Sequence, residues 1–178
     1  MKQRHLLFVG LPGSGKSTIG RLVSENLGAP LIDIDNLLVR QMGMPIAQIF
    51  GMVGEPEFRR MERDAVRTAC AREPVVLVPG GGWAAQEAEL EAARETSCII
   101  YLKCQPSTAA KRVDRGEVRP LLTAEDPVAR MRSLLQEREP CYARAEHQVV
   151  TDTTTPDAVV AEVVRIAREC AGWSQAVK

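Results

Sequence analysis

Gly10-Leu-Pro-Gly-Ser-Gly-Lys-Ser-Thr18 follows the apolar run Leu6-Leu-Phe-Val9 and precedes a stretch with helical periodicity. Gly10, Gly15, Lys16 and Ser17 occupy the fixed positions of the pattern G-x-x-x-x-G-K-[ST]. Glycines there let the backbone curl until successive N–H groups converge on one anion. The helix that follows adds the positive end of its dipole. Lys16 can reach β- and γ-phosphate oxygens, and the Ser17 hydroxyl can ligate Mg²⁺. The stretch therefore predicts a strand, a phosphate-binding loop and a helix in direct succession.

Outward from this loop, apolar runs alternate with helical patterns, as in a parallel sheet covered by helices. The runs lie at 6–9, 31–34, 75–78, 99–102 and 149–150. The first helix is expected over 16–27, with Ile19, Leu22, Val23 and Leu27 on one face and Gly28 closing it. A second begins near Asp35 and stops by Gly43. Pro45 opens a short third helix through Ile46, Ile49 and Phe50, and 55–71 is strongly helical. Residues 84–94 are Ala/Glu-rich and read as a surface helix, and Pro106 starts another that runs to about 114. Asp126-Pro127 reads as a cap and a first-turn proline for a helix towards Ala145. Pro156-Asp157 opens the last helix, ending near Ala171 or Gly172, and 173–178 is expected to be a loose tail.

With 178 residues, no repeat and no linker, the chain reads as one domain over 1–172 with a sizeable core. Lys+Arg and Asp+Glu are both 23, which argues against a general nucleic-acid binder. No apolar run approaches membrane-spanning length, and the basic start leads straight into the first strand without a signal peptide. The five cysteines are odd in number and lack a C-x-x-C, as expected of unpaired thiols in the cytoplasm. His5 and His147 are too few and too far apart in sequence to suggest a metal site. A monomer is the default, since no apolar stripe exceeds what the core requires.

Several polar constellations fall where the sheet's carboxyl edge should lie, the edge at which ligands collect in open α/β folds. In Asp33-Ile-Asp35, alternate strand residues face one cleft. Asp33 can hold Mg²⁺ directly or through water, and Asp35 can accept a proton from a substrate hydroxyl. The other reading is that one of them merely caps the next helix. Gly80-Gly81-Gly82 removes side chains beside the same edge, either for close approach of a small ligand or as a flexible turn. Arg59, Arg60 and Arg138 are either surface residues or, as a pair of guanidinium forks, a clamp on an anionic substrate. Lys111, Arg112, Arg115 and Arg119 flank an aperiodic stretch, either a solvated charge run or a mobile lid bringing an arginine to phosphate.

Taken together, these motifs resemble the shikimate kinases, part of the nucleoside monophosphate kinase-like group of phosphate-loop proteins. The resemblance rests on the loop 10–18, Asp33-Ile-Asp35, Glu57-Phe-Arg-Arg60, Gly80-Gly-Gly82, Val118-Arg-Pro-Leu-Leu122 and Arg138-Glu-Pro-Cys-Tyr142, and covers nearly the whole chain. It implies a three-layer α/β P-loop kinase fold: a five-stranded parallel sheet ordered 2-3-1-4-5, substrate-binding helices at about 34–62 and a mobile lid at about 112–125. The implied reaction is ATP-dependent phosphorylation of the shikimate 3-hydroxyl, a step of chorismate and aromatic amino-acid biosynthesis. Carried over by residue, Gly13, Ser14, Gly15, Lys16, Ser17 and Thr18 look like the ATP phosphate site, and Ser17 and Asp33 like the Mg²⁺ site. Asp35, Arg59, Gly80, Gly81, Gly82 and Arg138 look like substrate contacts. Arg119 looks like the lid arginine and Arg112 like a neighbour of the adenine. Lys16, Asp35 and Arg119 would carry the catalysis.

The chain departs from the family's pattern twice. Trp83 follows the triple glycine where relatives have a small residue, so an indole is expected to narrow or reshape the substrate floor. Thr153-Thr-Thr155 stands where many relatives have a basic residue near the adenine. Trp83 keeps open a kinase of the same build acting on another hydroxy acid such as gluconate. A nucleotide-binding protein without turnover is the rival from a different class.

Overall fold

The structure is a computed structural model and describes residues 2–113 and 126–174. Its strands are β1 His5–Val9, β2 Leu31–Asp33, β3 Val76–Val78, β4 Ser97–Lys103 and β5 His147–Val150. All pair in parallel, in the order β2-β3-β1-β4-β5. The described helices are α1 Lys16–Leu27, α2 Ile34–Met42, α3 Ile46–Cys70, α4 Glu87–Arg94, α5 Pro106–Val113, α6 Pro127–Tyr142 and α7 Pro156–Cys170.

β1 shows why the sheet sits in the middle. Its residues are all buried, and their side chains alternate between two cores. Leu6 and Phe8 join Ile19, Val23, Val160 and Val163 beneath α1 and α7. Leu7 and Val9 join Ile34, Phe58, Leu90 and Met131 beneath the helices of the opposite layer. Each such side chain contributes roughly 1.5–3 kcal/mol on leaving water. None of the described helices is long and apolar enough to cross a membrane.

Three local expectations are corrected. The two helices expected on either side of Gly54 form one element, α3, bent at Gly54 (φ 78, ψ 167). Pro56 sits just beyond the bend, where the second segment's first turn leaves its N–H unused. The expected surface helix at 84–94 divides into a 3-10 turn, Trp83–Ala85, and α4, whose Leu90, Ala93 and Glu89 are buried. Trp173, assigned to the loose tail, is buried and donates from Nε1 to the Arg4 carbonyl at 2.9 Å. An indole offers a large apolar face and one donor, so a single residue docks this segment without any periodic pattern.

Candidate active site

The loop between β1 and α1 is held from both sides. At Gly13 (φ 80) a Cβ would lie 2.4 Å from the Ala109 carbonyl oxygen, so only glycine fits against α5. Lys16 is buried and curls back over its own loop. Its Nζ donates to the carbonyls of Gly10 and Leu11 at 2.9 and 2.8 Å. Ser14 Oγ is buried without a hydrogen-bond partner. The Ser14 carbonyl accepts from Thr151 Oγ1 at 3.2 Å, which ties the loop to the end of β5.

Ser17 Oγ donates to Asp33 Oδ2 at 2.6 Å. Asp33 Oδ1 accepts from the Asn36 backbone N–H at 3.1 Å and caps α2. The capping reading of Asp33 therefore holds, and its other oxygen meets the Ser17 hydroxyl. Asp35 stands in the first turn of α2. With Gly13, Lys16, Ser17, Asp33 and Gly80, Asp35 lines a cleft of about 360 Å³, within the range of small-molecule sites. Gly15, Thr18 and Arg112 line the same cleft. Arg112 donates to the Thr151 carbonyl and hydroxyl at 2.7 and 3.2 Å.

Arg59, Gly81, Gly82 and Arg138 gather beside this cleft. Arg59 bonds to Glu62 Oε2 at 2.8 Å and lies over the rings of Phe50 and Phe58, with centroid distances of 5.8 and 5.6 Å. A Cβ on Gly82 would lie 2.6 Å from Arg59 Cζ. Arg138 is buried, with its Nε lacking a hydrogen-bond partner. Between the two arginines, the Tyr142 hydroxyl donates to the Gly81 carbonyl. Burial pushes this phenol up to about 12, against the opposing pull of Arg138 and Arg59. Arg119, and the lid expected at about 112–125 beyond Val113, lie outside the described residues.

The sequence reading assigned no role to Glu62 or Tyr142. Glu62 is fully buried, and burial raises its carboxyl above the ordinary range. Arg59 opposes that shift, and nearby Asp35 adds to it. Its signal was present: Phe58, Glu62, Val66 and Ala69 form the buried stripe of α3, so a carboxylate stands in an apolar row. Trp83 is entirely buried within the core, and its backbone N–H donates to the Gly80 carbonyl at 3.1 Å. Thr155 caps α7 by accepting from the Ala158 N–H at 3.3 Å.

The family model for shikimate kinase matches residues 12–168. This chain belongs to the shikimate kinase family. It is 40% identical to the shikimate kinase of Symbiobacterium thermophilum over 169 residues, 93% of this chain and 97% of that protein. It is 41% identical to a Mycobacterium tuberculosis shikimate kinase over 159 residues, 89% and 90% of the two chains. The structure of an Acinetobacter baumannii shikimate kinase in complex with shikimate superposes with a TM-score of 0.88 at 29% identity, covering 94% of this chain and 96% of that one. Family membership makes the chain an enzyme, a kinase built on the phosphate-loop fold.

Proposed function

We propose that the chain transfers the γ-phosphoryl group of ATP to the 3-hydroxyl of shikimate, giving shikimate 3-phosphate for aromatic amino-acid biosynthesis. The observation that carries this reading is the family match over 12–168, joined to a cleft where Asp35 faces the phosphate loop. Asp35 orients the acceptor hydroxyl and takes its proton. Gly13 to Thr18 cradle the phosphates, and Lys16 exchanges its two carbonyl partners for phosphate oxygens. Arg59 and Arg138 hold the acceptor carboxylate above Gly80, Gly81 and Gly82, with Glu62 fixing Arg59. Arg119 adds positive charge to the phosphates, and Arg112 lies by the adenine.

Oxygen ligands suit Mg²⁺, and the Ser17 hydroxyl and Asp33 carboxylate, 2.6 Å apart, are such a pair. Mg²⁺ held there supplies charge neutralisation at the β- and γ-phosphates. Substrate-binding helices at about 34–62, a lid at about 112–125, a cytoplasmic location and a monomeric state complete the proposal. Unpaired thiols at all five cysteines support the location.

ADP release measured with ATP, Mg²⁺ and a panel of acids tests the assignment. Shikimate is expected to drive turnover, while gluconate and an acid-free control do not. Turnover with gluconate alone would point to a different acceptor. ADP release that ignores the acceptor would sink the transferase reading.

A further inference from the structure

Cys98 lies nearly fifty residues before the adjacent pair Glu146-His147, and the β4–β5 register brings them together. Ile100 is aligned with His147. Cys98, two residues before Ile100, leaves the sheet on the same face and packs beneath α1 and α7. Val149, two residues beyond His147, faces that same core, which places His147 on the Cys98 side. Glu146 immediately precedes β5. The Cys98 Sγ, one imidazole nitrogen of His147 and one carboxylate oxygen of Glu146 lie within 4.8 Å of one another.

We infer that this cluster is a second, separate cation site, built for a borderline-soft divalent ion of the zinc class. Thiolate and imidazole favour such an ion over Mg²⁺, which prefers oxygen alone. Bonds of about 2.0–2.3 Å around a tetrahedral ion place donors roughly 3.3–3.8 Å apart, so the three groups need close by no more than about 1.5 Å. His147 is half-buried and Glu146 exposed, which leaves both room to move. The thiolate and the carboxylate together offset the ion's two charges. Binding converts the Cys98 thiol to a metal-bound thiolate and releases its proton to solvent. Arg4 holds both Glu146 oxygens, at 3.0 and 2.6 Å, and is itself tied to the Ser97 and Arg94 carbonyls. Each carboxylate oxygen keeps a second lone pair, so Arg4 can orient Glu146 while the outer lone pair meets the ion. The cluster sits at the amino ends of β4 and β5, across the sheet from the phosphate loop, so its occupancy is separable from the reaction.

Cd²⁺ is the probe, because a thiolate–cadmium bond produces an ultraviolet charge-transfer band that oxygen ligands do not. The chelator-treated full chain is titrated with Cd²⁺ under excess Mg²⁺, which occupies oxygen-only sites. The expected result is a band that saturates at a single ion per chain, vanishes in Cys98→Ser, persists in Cys141→Ser and shifts to at least tenfold weaker binding in His147→Ala. Cys98 is buried, so melting curves accompany its variant. The His147→Ala titration stands independently, since that variant leaves the thiol and the core in place. A missing band in the parent, or a His147→Ala titration that superposes on the parent's, overturns the site.

Discussion

At Asp33 the carboxylate divides its oxygens, one towards Ser17 and one towards the Asn36 N–H. Asp35, two residues on, lines the same cleft from the first turn of α2. Substitution should separate these duties. Asp35→Asn is expected to lower kcat about a hundredfold or more with nucleotide affinity kept, because an amide cannot take the hydroxyl proton. Asp33→Ala is expected to cost about 0.5–2 kcal/mol of stability through the lost cap, on top of weakened Mg²⁺ dependence. Kinetics beside thermal denaturation read both. The residue pair was visible in the sequence, but which of the two caps α2 was not, since a carboxylate's partners depend on which backbone comes near. Glu62 illustrates the complementary blindness: a stripe counted by apolar residues alone passes over the one carboxylate buried within it.

At the scale of the element, the turn after β3 assigns each of its three glycines a different neighbour. A Cβ would lie 2.4 Å from Glu62 Oε1 at Gly80, 2.9 Å from Pro12 Cδ at Gly81 and 2.6 Å from Arg59 Cζ at Gly82. The sequence reading kept this space for a ligand; the fold also spends it on a buried carboxylate, the phosphate loop and a guanidinium. Substitutions along the turn should therefore fail in different ways. Gly82→Ala, whose backbone φ of −90 suits alanine, should displace Arg59 and raise KM for the acid about tenfold, with KM for ATP nearly constant. Gly81→Ala should press on Pro12 and raise KM for ATP instead. Equal effects on both substrates from both variants would show that the turn acts as a whole rather than residue by residue. Helix periods and strand runs were legible because they repeat. The bend at Gly54 and the split at Trp83–Ala85 were not, because each is a single event.

For the whole molecule, His5 links the central strand to its surroundings. Its Nδ1 accepts from the Val75 N–H at 3.1 Å, and its Nε2 faces the Cys70 carbonyl at 3.3 Å. Burial lowers its pKa below 6.5, with the Cys70 carbonyl opposing. The unfolded chain therefore takes up the proton first. Stability is complete above about 6.5 and falls as pH drops from there towards the folded value. A His5→Asn variant should lose that slope in melting temperature between neutral and mildly acidic pH, even if it melts lower throughout. The parallel architecture was legible in its alternating runs, whereas strand order came through family likeness, since periodicity carries no information about neighbours. The docking of Trp173 and the nearness of Cys98 to His147 are likewise set by the closed fold alone. That docking reaches further. The Arg4 N–H donates to the Ala171 carbonyl at 3.0 Å while Trp173 donates back to Arg4, so the two outermost segments of the described chain lie side by side. They meet at the amino edge of the sheet, behind the cleft. A short bridge across them would close the chain into a ring, which could then be cut open at a surface turn elsewhere to give a reordered polypeptide with its chemistry facing the same way.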